Sequence, residues 1–190
     1  MHRVIHHSRH ALLMTLLMTA LLGVAVPLLF TVVAQLLFPT ATHGSLVMRG
    51  DAPTGSELLG QEFTQDHYFW GRLSATTPPY NPSASAASNY SMGNAQLLEK
   101  ANERMRHYPT GEKIPLSLVT SSASGLDPHI TPQAAYFQAK RVAKARKVEE
   151  KEIHTLIDAH TEAPHLGFIG VPRVNVLKLN MAVDEAHEKR

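Results

Sequence analysis

The run ALLMTLLMTALLGVAVPLLFTVVAQLLF, residues 11–38, carries no charged side chain, and no other feature restricts the fold as strongly. At ~1.5 Å of rise per residue it forms a rod of ~42 Å, longer than the ~30 Å hydrocarbon core of a bilayer. The apolar stretch of a secretory signal is usually ~7–15 residues long, and no clear small-x-small cleavage site precedes Phe38. Helices of soluble proteins rarely stay apolar on every face for such a length. The run is therefore read as a retained transmembrane helix. Pro27 should kink it one turn beyond Gly23. Thr19 and Gly23 form a small-xxx-small pair that lets another helix approach closely, while Thr15, Thr31 and Gln35 favour protein neighbours over lipid. The candidate helix-packing residues are Thr19, Gly23, Pro27 and Gln35. One helix cannot enclose an ion path, so the chain is no channel alone.

The flanks set an orientation. The preceding tail, MHRVIHHSRH, holds Arg3 and Arg9 and no acid, and no further Lys or Arg occurs until Arg49. Basic flanks stay in the cytoplasm, which places residues 1–10 inside and residues 39–190 outside, in the periplasm of a bacterium with two membranes. Removing Arg3 and Arg9 from the 18 basic residues leaves 16, equal to the 16 acidic residues, all of which follow the helix. The outer part is thus neutral, and the alkaline pI is no argument for nucleic acid. With no cysteine, it is held by its core or by a partner rather than by disulfides.

Residues 39–53 read as a connector with a first strand near Ser45–Met48. Residues 55–94 are rich in Ser, Thr, Asn and Pro and read as a long polar loop. Their aromatics Tyr68, Phe69, Trp70, Tyr80 and Tyr90 argue that the loop is ordered. A helix starts at the cap Asn94, with Leu97, Leu98, Ala101 and Met105 on one face, and ends at Pro109. Alternation predicts a strand over 114–120. Thr131 caps a second helix with Pro132 in its first turn, running to Lys147. That helix aligns Lys140, Lys144 and Lys147 along one face, as a solvated stripe or a docking stripe. A third helix over 149–160 buries Ile153, Leu156 and Ile157, and PRVNVLKLN closes the core as a late strand. The fold class is a single N-terminal transmembrane α-helix followed by a mixed α/β (α+β) exported soluble domain.

The segment SSASGLDPHITP packs Ser124, Asp127 and His129 beside a glycine. A catalytic triad needs its members converging in space, with the serine activated by histidine, and no G-x-S-x-G elbow is present. Asp127-Pro128 opens turns readily, so the turn reading is preferred. The alternative is a membrane-anchored exported hydrolase or binding module using Ser124, Asp127 and His129. His6 and His10 are four apart and His154, His160 and His165 cluster later, but without an H-E-x-x-H helix neither set makes a recognisable metal site. There is no phosphate-binding G-x-x-x-x-G-K-[ST] loop.

Five stretches, in order, resemble one family. GSELLGQEF, YFWGRLSAT, PYNPSASAASN, SSASGLDPHITPQAAYFQAKRVAKAR and DAHTEAPHLGFIGVPRVNVLKLN are similar to the C subunit of the Kdp potassium-transporting ATPase. The likeness runs from the membrane helix to about Val183 and departs from the common pattern at Leu73, Ala86 and Ala87. It implies a single-span inner-membrane subunit of a bacterial high-affinity K⁺ pump, non-catalytic itself. Implied partners are the channel-like A subunit (KdpA), the P-type ATPase B subunit (KdpB), the small F peptide (KdpF) and the bilayer. The family is described as an assembly factor or catalytic chaperone that raises the ATP affinity of the B subunit. The chain has no cofactor of its own on this reading; ATP and Mg²⁺ belong to the B subunit. An outer domain meets almost no ATP, so any such effect is expected to pass through helix packing and complex stability. Candidate docking residues are Gly71, Arg72, Asn81, Asn89, Asp127, His129 and Arg173.

Overall fold

The computed structural model describes residues 2–91, 93–108 and 111–188, with side chains from His7 to His187. The side chains of Arg3 and His6, and Pro109 as a helix stop, lie outside the described residues. The chain divides into two compact units, Met1–Ser45 and Leu46–Arg190.

In the first unit, α1 (His2–Ala20), a π turn (Leu21–Ala25) and α2 (Val26–Leu37) run consecutively, followed by the single turn α3 (Pro39–Thr42). His7–Leu37 spans 31 residues and contains an 18-residue stretch with a mean hydropathy of 2.5 and none of it buried, long and apolar enough to cross a membrane. Proline has no N–H to give the carbonyl four residues back, which disturbs the ladder ahead of it. Here the ladder widens before Pro27, and the Val26 N–H reaches the Leu21 carbonyl, five residues away. The irregularity expected at Pro27 thus takes the form of a π turn. The Thr31 hydroxyl donates to the Pro27 carbonyl at 2.8 Å. Thr19 and Gly23 share an open face with Met14, Thr15, Met18 and Leu22, and Gln35 is exposed.

The second unit opens with the hairpin β1 (Leu46–Arg49) and β2 (Ala52–Ser56), turned at Gly50, whose φ of +63° suits a residue without Cβ. The loop expected from residue 55 begins after β2, which includes Gly55 and Ser56, and among the described residues no helix or strand is named between Ser56 and α4 (Ala95–Met105). Asn94 caps α4 by accepting from the Gln96 N–H at 2.8 Å. Then come α5 (Leu116–Val119), β3 (His129–Ile130), α6 (Pro132–Arg146), α7 (Glu150–Ala159), β4 (Thr161–Glu162), β5 (Arg173–Asn175) and α8 (Val176–Glu188). The short strands form an antiparallel sheet in the order β3-β5-β4, with Ile130 and Thr161 both opposite Val174. Thr131 caps α6 by accepting from the Ala134 N–H at 3.2 Å. The core joins Phe69 and Trp70 of the loop to Leu118, Ile130, Val142, Ile153, Ile157, Val174, Leu179 and Val183.

Two expectations are corrected. The strand over 114–120 is one helical turn, because Leu118 and Val119 are both buried where a half-buried strand would alternate. The late strand holds only for Arg173–Asn175. Beyond it, Val176, Leu179, Asn180 and Val183 are buried at helical spacing, and Asn175 caps α8 by accepting from the Lys178 N–H at 3.2 Å.

The polar loop enters the core through two buried carboxamides. Asn180 of α8 accepts from the Phe69 N–H at 2.7 Å and donates to the Phe69 carbonyl at 3.0 Å. Gln138 of α6 does the same for Trp70, at 2.8 and 3.1 Å. Each acts as a neighbouring strand would, satisfying backbone groups that are expensive to bury unpaired. Replacing Asn180 by Leu strands both groups of Phe69. The variant should lose about 2–5 kcal/mol of stability, lowering the melting midpoint by about 5–15 °C in a circular-dichroism melt. An unchanged midpoint would show that the clamp does not hold the loop.

Candidate functional site

The segment from Ser121 to His129 is the post around which the polar loop is wound. Its carbonyls are claimed in turn by that loop. Ser121 accepts from the Arg72 guanidinium at 3.1 Å, and Ser124 from the Ala86 N–H at 3.0 Å and the Ser85 hydroxyl at 2.9 Å. Gly125 accepts from the Ser74 hydroxyl at 2.7 Å and Leu126 from the Gly60 N–H at 2.7 Å. In return the Ser122 N–H donates to Leu73 at 3.1 Å, a single parallel bridge. Such close winding requires glycine. Gly125 has φ +70°, and a Cβ there would come within 2.7 Å of the Ala86 carbonyl oxygen.

Within this turn the three suspected catalytic residues have other tasks. The Ser124 hydroxyl accepts from the Leu126 N–H at 3.1 Å, and the Asp127 carboxylate accepts from the His129 N–H at 3.0 Å. Both are local side-chain turns of the kind that open loops. Asp127 also meets His129 Nδ1 at 3.5 Å and Arg72 Nη1 at 3.1 Å. No hydrogen bond joins Ser124 to His129 among the described residues. The structure therefore brings Asp127, His129 and Arg72 together and leaves the serine without its base.

The remaining candidates divide by depth. Gly71 is buried, and a Cβ on it would come within 2.5 Å of the Tyr80 hydroxyl oxygen, so a bulky residue there would disturb packing inside the loop. Tyr80 itself is buried enough that its phenol is pushed up to about 12. Asn81 holds a turn by accepting from the Ser83 N–H at 3.0 Å. Asn89 is exposed, with φ +53°. Arg173 donates to Glu162 at 2.9 Å across the β4–β5 pair.

Two features escaped the sequence reading. Arg104 and Arg141 flank the Trp70 ring, their Cζ atoms 5.2 and 3.7 Å from its centroid. Four large apolar residues crown the β4–β5 connection in the open, Leu166 at 82%, Phe168 at 77%, Ile169 at 51% and Val171 at 71% exposure. A glance at GFIGV could have found the second, since no turn needs so many apolar residues. The first depends on contacts far apart in the chain.

Burial pushes the Asp127 carboxyl up, but hydrogen bonds from the side chain and backbone of His129 and from Arg72 outweigh it, and the pKa is held below 3.8. A depressed carboxyl pKa adds stability that is complete above 3.8 and disappears as the pH falls through the folded value. Asp127→Asn should therefore be less stable than the parent at pH 7, by about 1 kcal/mol given the partial exposure of the pair. That difference should close as denaturation is repeated at pH values stepping down below 3.8. A gap independent of pH would rule the ion pair out as its source.

The chain matches, over residues 8–185, the family described as KdpC, K⁺-transporting ATPase, c chain. It is 49% identical over 182 residues to the potassium-transporting ATPase KdpC subunit of Polaromonas naphthalenivorans, covering 93% of each chain. The KdpC subunit of Polynucleobacter asymbioticus is 47% identical over 182 residues, covering 93% of this chain and 96% of the relative. That of Sorangium cellulosum is 48% identical over 186 residues, covering 95% and 98%. These matches take in the membrane-length helix, the wound loop and its post together. The chain belongs to the KdpC family, the C chains of K⁺-transporting ATPases.

Proposed function

We propose that this chain is the non-catalytic assembly subunit of an ATP-driven potassium import complex, anchored by residues 11–38 with residues 1–10 in the cytoplasm and 39–190 in the periplasm. Its partners are the channel-like KdpA subunit, the P-type ATPase KdpB subunit and the small KdpF peptide, with the bilayer around its helix. No nucleic acid is involved, and ATP and Mg²⁺ are bound by KdpB.

One observation carries this reading. The uncharged tip Leu166–Val171 exposes four large apolar side chains within six consecutive residues. Clustered apolar side chains of this kind mark contact sites, and a subunit of a larger assembly has neighbours to receive them. The tip leads directly into Arg173 and β5, which pairs with His129 of β3. Asn81, Asn89, His129 and Arg173 extend the docking face toward the outer side of KdpA, with Gly71, Arg72 and Asp127 bracing it from beneath. Thr19, Gly23, Pro27 and Gln35 serve the same purpose within the bilayer, where small residues and a π turn admit a second helix. A rise in the ATP affinity of KdpB then follows if the subunit binds one state of the pump better than another.

Phe168→Asp combined with Leu166→Ser should abolish co-purification of KdpA and KdpB in mild detergent. Because both sites are exposed, the melting midpoint of the isolated chain should stay within about 2 °C of the parent. Full recovery of the complex with both substitutions present would remove the tip from the interface. A carboxyl-terminal reporter active only in the cytosol would overturn the orientation.

A further inference from the structure

Helix α6 carries Phe137, Lys140, Arg141 and Lys144 at the i, i+3, i+4, i+7 spacing of one face. With Tyr108 and Glu112 they line a cavity of about 300 Å³, the lower end of the size range for small-molecule sites. The Tyr108 and Phe137 rings form its apolar wall, edge to face with centroids 5.5 Å apart, and Glu112 adds one carboxylate that Lys140, Arg141 and Lys144 outnumber. Its cations are more informative.

Arg141 turns inward and lies over the Trp70 indole. Its guanidinium donates to two neutral oxygens, the Asp66 carbonyl at 2.6 Å and Gln138 Oε1 at 2.8 Å. The Asp66 carboxylate is 3.9 Å away and largely in solvent. On the same indole, Arg104 donates to the carbonyls of Leu118 and Gly71. Two guanidinium groups therefore share one ring, and neither meets a carboxylate within 3.5 Å among the described residues. Burial pulls the Arg141 pKa down to about 10, and the exposed Asp66 carboxylate, which acts in the opposite direction, does not offset it. Among the described residues, Arg141 Nε and the Tyr108 hydroxyl are both buried without a hydrogen-bond partner. Such partly desolvated positive charge attracts an anion far more strongly than a surface lysine does.

We propose that this cavity is a binding site for a small organic anion with a planar apolar body. The ring lies against Tyr108 and Phe137, and the anionic group meets Arg141 while Lys140 and Lys144 at the mouth draw it in. Lys140 and Lys144 belong to the basic stripe visible in the sequence, which the docking face does not use. This site does not depend on the assembly role, and the two fail separately.

Trp70 is the only tryptophan of the chain, so its fluorescence reports on the cavity. The full-length chain in zwitterionic nanodiscs should show a saturable change in Trp70 emission with phenylacetate. The neutral phenylacetamide, and acetate, which lacks the ring, should each bind at least about tenfold more weakly. Lys140→Gln with Lys144→Gln leaves the buried contacts intact and should weaken phenylacetate about five- to tenfold at low salt. Tyr108→Phe gives a second check, because removing an unpartnered hydroxyl should not impair folding, and the phenylacetate response should persist. Absence of saturation at millimolar phenylacetate, an equal response to phenylacetamide, or affinity indifferent to the double lysine change would each overturn the proposal.

Discussion

Everything in the folded unit depends on how a long polar segment can be buried without forming a sheet. Among the described residues between Ser56 and Ala95 the backbone has no regular ladder to satisfy its own N–H and C=O groups, yet Phe69 is fully enclosed. Asn180 and Gln138 resolve this by presenting a carboxamide from each of two helices, one donor and one acceptor apiece, to consecutive residues. The arrangement is stringent. Isosteric Asp in place of Asn180 would offer acceptors and no donor, and Leu would offer neither. Because both carboxamides project from helices already packed into the core, the loop inherits helical rigidity at the two points where it is deepest. Loops carried on such a scaffold can present a fixed surface to a partner.

What could be read from the sequence was local. The caps at Asn94 and Thr131, the proline opening α6 and the apolar face of α7 each depend on residues within a turn or so of one another, and these elements stand where expected. The apolar span was legible for the same reason, since length and charge alone define it. Misreadings arose where a short apolar run fits two periods. IPLSLVT alternates as a strand does, but Pro115 cannot donate to a ladder and Leu118 and Val119 both turn inward, so a single helical turn results. VNVLKLN likewise reads as a strand until the continuation through Val183 reveals the helical period.

The candidate site was legible in its members and illegible in their roles. Asp127 and His129 stood out as chemistry, and they do meet, but Arg72, 55 positions away, decides that the carboxylate anchors a loop rather than orienting a base. No spacing rule connects residues so distant. The same holds for Gln138 and Trp70, separated by 68 positions. Polar residues buried for the sake of a remote backbone look, in the sequence, like ordinary surface residues of a helix. Gln138 follows Phe137 in α6, and nothing in AAYFQAKRV indicates which of the two faces the core. It is Gln138 that is fully buried and Phe137 that is only partly so.

Gln138 also ties the cavity to the loop. Its Oε1 accepts from the Trp70 N–H and from Arg141 Nη2 at the same distance, 2.8 Å, so one oxygen serves both the backbone clamp and the buried cation. The indole stacked against Arg141 belongs to the residue whose backbone is clamped. A group that engages Arg141 therefore acts on Trp70 twice, through the shared acceptor and through the ring. Gly71 follows Trp70 directly, gives its carbonyl to Arg104 and lies against the Tyr80 hydroxyl that closes the next turn of the loop. Contiguous contacts thus connect Arg141 to the segment wound about Ser121–His129. Coupling between the two ends would require that both favour the same arrangement of one shared element, and Trp70 is the residue that both contact.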